Sequence, residues 1–233
     1  MIKYHGTPIT PERVFNEVMP NRNALVSYAH PHDLKKALKQ CNKVCLDNGA
    51  FSFWTKGKSV DWNNYYSWVF DVYSYIDFFI IPDVIDGSEE DNDNLIADYL
   101  RRVVDVDNRK GVPVWHVAES FDRLFRLMDS FDYICIGSSG EYSTLGTKTW
   151  HKRMNDVMRI VCDSDGIPKV KVHMLRCLDP RIFTMYPFYS GDSTNLARNH
   201  SRDGAWQIVN RIEKYDSPAK YTFRRYYETR SLF

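Results

Sequence analysis

Net charge, long apolar runs and pairable cysteines are all scarce in this 233-residue chain. No apolar stretch approaches the roughly 20 residues needed to span a bilayer. The opening MIKYHGTPITPERVF lacks the basic-then-apolar layout of a signal peptide. No membrane association is expected, and a soluble, cytoplasmic location is. Thirty-one basic residues against thirty acidic ones leave a net charge of +1, so a polyanionic partner has to be met by a local patch rather than a global field. The five cysteines, Cys41, Cys45, Cys135, Cys162 and Cys177, are an odd number. Three of them sit in or beside apolar, strand-like runs, and reduced, partly buried thiols are expected. Repeats and low-complexity tracts are absent. So is a glycine-rich turn after the first apolar run, where YAHPHDL stands, which argues against an open dinucleotide-binding sheet.

What is present is ample material for one core: 43% hydrophobic residues and 15% aromatics, consistent with a single domain over 1–233. Short apolar runs recur at 24–29 (ALVSYA), 43–47 (KVCLD), 76–83 (IDFFIIPD), 112–117 (VPVWHV), 131–137 (FDYICIG), 170–175 (VKVHML) and 185–189 (MYPFY). Their uniform apolarity suits strands covered on both faces. Between them, 32–40, 60–73, 89–104, 120–128 and 148–162 read as helices, with Ser88 and Ser120 placed as caps. Such alternation predicts a parallel α/β sheet, closed as a (β/α)8 TIM-type barrel that is irregular or trimmed in places. The polar residues cluster directly after the strands: His30 and His32, Asp47, Asp83, His116, Gly137 to Glu141, His173 and Asp192. In a parallel barrel those positions share one rim, the catalytic one.

The segment 205–233 differs in character. Its KYTFRRYYETR carries Lys220, Arg224, Arg225 and Arg230 among four aromatic rings. It reads either as a surface where arginines meet phosphates and rings stack on bases, or as a terminal segment packing its rings on the barrel.

Four clusters ask for a common explanation. Asp47 ends KVCLD and is followed by Asn48, Gly49, Ala50 and Phe51, where a glycine permits close approach of a flat ligand. Asp83 ends IIPD. IGSSGE offers the small residues Gly137, Ser138 and Ser139, with Glu141 behind them. GDST places Asp192 after the last apolar run, with Arg198 and Asn199 following. Any one aspartate alone reads as a cap or a loop tether. Three acids on one rim repel, so their pKa values separate, and one is free to act as nucleophile while another handles protons.

These residues carry a resemblance. LDNGAFS, IIPDVI, IGSSGE and MYPFYSGDSTNLARN resemble, in order and approximate spacing across residues 44–200, four segments of the tRNA-guanine transglycosylase family. The family's zinc subdomain needs closely spaced cysteines that this chain lacks. That lack and the short length make it most similar to the compact phage-type relatives that place 7-deazaguanine bases into DNA. The resemblance implies a pentosyltransferase that needs no cofactor and exchanges guanine in DNA for a base such as 7-cyano-7-deazaguanine. Asp192 would be the nucleophile and Asp47 the acid/base. Asp83, Phe51, His116, Gly137, Ser138 and Ser139 would bind the base, and Arg198, Arg202, Arg224 and Arg225 the nucleic acid. Base exchange on tRNA is the nearest alternative, and dependence on a partner subunit is left open.

Two other readings compete. His30, His32, His116, His173 and Asp192 imitate the order of ligands in metal-dependent amidohydrolase barrels, although Pro31 and Asp33 also read as a turn opening a helix. A non-catalytic barrel that only binds a base or a strand would use the same rim without a covalent step.

Overall fold

A computed structural model of the chain describes residues 1–104 and 109–223. The strands are β1 (Ile2–Gly6), β2 (Asn23–Ser27), β3 (Lys43–Asp47), β4 (Phe78–Ile80), β5 (Gly111–Val112), β6 (Val114–His116), β7 (Tyr133–Gly137), β8 (Lys171–Met174) and β9 (Ser190–Ser193). The helices are α1 (Glu12–Val18), α2 (Leu34–Gln40), α3 (Ala50–Trp54), α4 (Trp62–Asp71), α5 (Glu89–Arg102), α6 (Phe121–Ser130), α7 (Lys148–Val161), α8 (Pro180–Phe183), α9 (Asn195–Asp203) and α10 (Ala205–Glu213). Every strand pairing is parallel, in the order β5-β4-β3-β2-β1-β9-β8-β7-β6. The two end strands are consecutive in the chain, separated only by Pro113. On one side Ile81 N–H donates to the Val112 carbonyl at 2.9 Å; on the other Cys135 N–H donates to the Pro113 carbonyl at 2.8 Å. The fold is therefore mixed α/β, a nearly closed, barrel-shaped parallel sheet flanked by helices.

Two apolar layers hold it. The larger lies between sheet and helices and includes Phe15, Val26, Leu46, Phe79, Trp115, Ile136, Trp150 and Ile208. The smaller fills the barrel with alternate residues of the same strands, among them Tyr4, Leu25, Cys45, Phe78, Val114 and Cys135. A period of two divides each strand between the layers. Local chemistry sets the helix starts. The Ser88 hydroxyl accepts from Asp91 N–H at 3.1 Å while the Asp91 carboxylate accepts from Ser88 N–H at 2.9 Å, a reciprocal cap. The Ser120 hydroxyl accepts from Arg123 N–H at 3.1 Å.

The structure corrects the expected strands in several places: the run at 76–83 shortens to β4, which ends before Asp83, and the run at 112–117 is broken at Pro113. MYPFY is not a strand: Tyr186 and Phe188 are buried in the helix layer, and the strand is the SGDS that follows. A first strand, IKYHG, pairs between β2 and β9. Of the C-terminal segment, 205–213 form α10, which buries Ile208, Val209 and Ile212. Arg224, Arg225 and Arg230 lie outside the described residues. Among the described residues no helix is long and apolar enough to cross a membrane. Cys45, Cys135, Cys162 and Cys177 are buried, Cys41 is half-buried, and all five are free thiols.

Candidate active site

The C-terminal ends of the strands surround a cavity of about 810 Å³, within the size range of small-ligand sites. Its floor and walls include Asp47 at the end of β3, Asp192 within β9 and Asp83 in the segment that follows β4. Phe51, His116, Gly137, Ser138, Ser139 and Arg198 line it as well.

The corner between β3 and α3 carries the first group. Gly49 has φ +78°, and a Cβ there would stand 2.9 Å from the backbone nitrogen of Ala29, so the sharp turn requires glycine. The turn aims Gly49 N–H at Asp47 Oδ2, 3.1 Å away. Asp47 keeps part of its surface open to the cavity, yet the barrel encloses it. Burial pushes its carboxyl up to about 7, and the Asp192 and Asp83 carboxylates add to the rise, against the opposing pull of the Ser27 hydroxyl and Gly49 N–H. A carboxyl titrating near neutrality can both give and take a proton.

Asp83 is buried and held from two sides. Asn48 Nδ2 donates to its Oδ1 at 2.7 Å and to the Ile81 carbonyl at 2.9 Å. His116 Nε2 lies 3.0 Å from Asp83 Oδ2, within ion-pair reach but without the alignment of a hydrogen bond. Burial works against charging His116, but Asp83, supported by Glu119, outweighs it and raises the imidazole above its usual range. Gly137 faces that ring: a Cβ there would stand 3.2 Å from His116 Nδ1. The Ser138 hydroxyl is already engaged, accepting from Trp150 Nε1 at 2.9 Å. Ser139 precedes the tight turn Gly140–Tyr142, and Glu141 points to solvent.

Asp192 lies inside β9, not beyond a strand, and is buried. Its Oδ1 accepts from Arg176 N–H at 2.9 Å and lies 3.2 Å from His173 Nε2. Among the described residues its Oδ2 accepts no hydrogen bond. Arg176 adopts φ +59°, and its guanidinium covers the Phe51 ring at 4.7 Å across the mouth of the cavity. Phe51, 43% exposed, belongs to that mouth and not to the core. Arg198 is exposed at the lip with no ion pair among the described residues. Arg202 does not line this cavity. It pairs with Asp203 at 2.7 Å and lines an adjoining groove that shares Arg176, Ser193 and Asn195 with it.

The histidines separate. His30 lines the cavity, His32 is exposed, His116 pairs with Asp83 and His173 with Asp192. Among the described residues no three His, Cys, Asp or Glu side chains gather as a ligand set. Sequence reasoning missed Asn48 and Arg176. Arg176 stands directly after VKVHML, the strand-end position that drew attention to the other site residues, and the same rule would have found it. Compared with known proteins, the chain matches no family model, no curated protein and no solved structure.

Proposed function

We propose that this protein exchanges a guanine base in a nucleic acid for a 7-deazaguanine through a covalent aspartyl intermediate. The observation that carries this reading is the convergence of Asp47, Asp83 and Asp192 on one cavity, with the Asp47 carboxyl raised to about 7. We also read Gly111–His116 as one strand broken at Pro113, which makes the barrel eight-fold.

The three carboxylates divide the chemistry. Asp192 Oδ2 attacks C1′ of the target nucleotide. The C1′–N9 bond breaks through an oxocarbenium-like transition state, its electron pair leaving with the base, which takes a proton from neutral Asp47. The incoming 7-deazaguanine then loses its N9 proton to the Asp47 carboxylate, and N9 displaces the Asp192 oxygen from C1′. Asp83, oriented by Asn48, accepts from the N–H donors of the base edge. A protonated His116 donates to a base carbonyl. Phe51 and the Arg176 plane above it offer stacking surfaces at the mouth. A base buried in a duplex stack cannot reach this floor, so the nucleotide is flipped out or presented on a single strand. We take DNA as the polymer, with tRNA as the other arm of the test.

The decisive experiment offers labelled guanine and 7-cyano-7-deazaguanine with guanine-containing DNA and with tRNA in parallel. Quenching in denaturant should trap a protein–DNA species, and Asp192→Asn should abolish both the adduct and incorporation. Exchange unchanged in Asp192→Asn overturns the proposal. Binding of the base or strand with neither adduct nor exchange would mark a binding barrel instead.

A further inference from the structure

Beneath Asp192 the barrel interior holds a continuous polar chain that the reaction above does not use. Strand register sets His173 opposite Ser190, and Asp192 follows Ser190 on the same inward face, two residues on. His173 Nδ1 lies 2.5 Å from Ser190 Oγ, and Ser190 Oγ lies 2.5 Å from the Tyr133 hydroxyl. His173 and Ser190 are fully buried. The imidazole is clamped by rings, Phe78 at 5.3 Å and Tyr4 at 6.0 Å between centroids. A polar chain so deep in an apolar barrel is costly unless every member is satisfied, and here each link has its partner.

Serine, histidine and aspartate in hydrogen-bonded order invite comparison with a hydrolase triad, in which the serine attacks and the aspartate orients the histidine. The burial is the reverse of that arrangement. Neither Ser190 nor His173 lines the cavity, and Asp192 does. From this cavity only the aspartate end of the chain is reached.

The geometry points to His173, Ser190 and Tyr133 as positioning residues that hold Asp192 from below, fixing Oδ1 so that Oδ2 is the attacking oxygen. The inference rests on the nucleophile reading of Asp192. A carboxylate only accepts hydrogen bonds, so His173 carries its proton on Nε2 and donates to Oδ1. Nδ1 is then an acceptor, filled by the Ser190 hydroxyl, which in turn accepts from the Tyr133 hydroxyl. All three donors run toward the carboxylate, so each bond polarises the next. Arg176 N–H completes the hold on Oδ1 from the other side. Both restraints fall on one oxygen, which leaves the other aimed into the cavity.

Imidazole ¹⁵N NMR tests this together with exchange kinetics. In the unmodified protein His173 should show a protonated Nε2 and a hydrogen-bonded, unprotonated Nδ1. Ser190→Ala should move the Nδ1 resonance toward a free acceptor, and Tyr133→Phe should move it less. His173→Leu should lower kcat on the order of 100-fold, the scale of a misplaced reacting group, with KM little changed. His173→Gln, whose amide can still donate to Oδ1, should recover part of the loss. Ser190→Ala and Tyr133→Phe, which remove single hydroxyls, keep the test open if the His173 variants fold poorly. A protonated Nδ1 in the unmodified protein overturns the inference. So does unchanged kcat in both hydroxyl variants while Asp192→Asn is inactive. Exchange that survives Asp192→Asn overturns the nucleophile reading instead, and the NMR result then still decides how His173 is held.

Discussion

Holding a carboxyl near neutrality has opposite consequences for chemistry and for stability, and Asp47 is the residue where both can be measured. In the first half of the proposed exchange it would have to be protonated to give the departing base its proton. Adduct formation in a single turnover should therefore slow as pH rises through about 7. For stability, the folded value lies above that of an unfolded aspartate, so the native state binds more protons between the two. Its contribution is intact below about pH 4 and is lost as pH climbs to about 7. Asp47→Asn should match the unmodified protein in urea unfolding near pH 4 and exceed it at pH 8 by up to about 4 kcal/mol, the equivalent of three pKa units. Equal stability at pH 8 would show that folding does not raise the Asp47 carboxyl. Asp47 was legible in the sequence because an acid at the end of KVCLD contradicts its apolar surroundings. Arg176 was legible by position alone, directly after VKVHML, while Asn48 and Ser190 were not, because nothing about an asparagine or a serine says which side chain it will meet across the barrel.

At the scale of elements, what the sequence made visible followed from what each strand buries. KVCLD is buried on both faces, and its predicted bounds match β3 residue for residue. In SGDS the inward face carries Ser190 and Asp192, which hydrogen-bond rather than pack, and in IKYHG the inward Tyr4 packs in the barrel but alternates with Lys3 and His5. Such strands lack the apolar signature, and MYPFY beside β9 supplied a misleading one because its rings fill the helix layer. Proline explains the remaining irregularity: Pro113 has no N–H to donate, so one apolar run became two short strands. The β3–α3 corner is the element on which the site most depends, since it fixes Asp47, Asn48 and Phe51 at once. Gly49→Ala forces a side chain into a left-handed turn and against the Ala29 backbone. It should cost about 1–3 kcal/mol in urea unfolding and lower exchange beyond that loss. Full stability and activity in this variant would mean that the corner tolerates another path.

For the whole molecule, near-neutrality has a consequence for how a nucleic-acid strand would be held under the proposed function. With a net charge of +1 no global field would draw DNA in, so the affinity that the proposed function requires would have to come from arginines around the cavity and should be sensitive to single substitutions. The structure separates two arginines that the sequence placed together. Arg198 stands at the lip without an ion pair among the described residues, whereas Arg202 is already matched to Asp203 at 2.7 Å. A phosphate that binds Arg202 must compete with that carboxylate. Each phosphate contact contributes about 0.7–0.9 to the slope of log affinity against log salt, depending on whether the strand is single or paired. Arg198→Ala should reduce that slope by about one contact, Arg202→Ala by less, and Asp203→Asn should steepen it by freeing Arg202. Titration of labelled DNA at several salt concentrations measures all three. Equal slopes for the two arginine variants, with no change in Asp203→Asn, would mean that the Asp203 pair does not hold Arg202 back and that the lip is not the place where the strand is gripped.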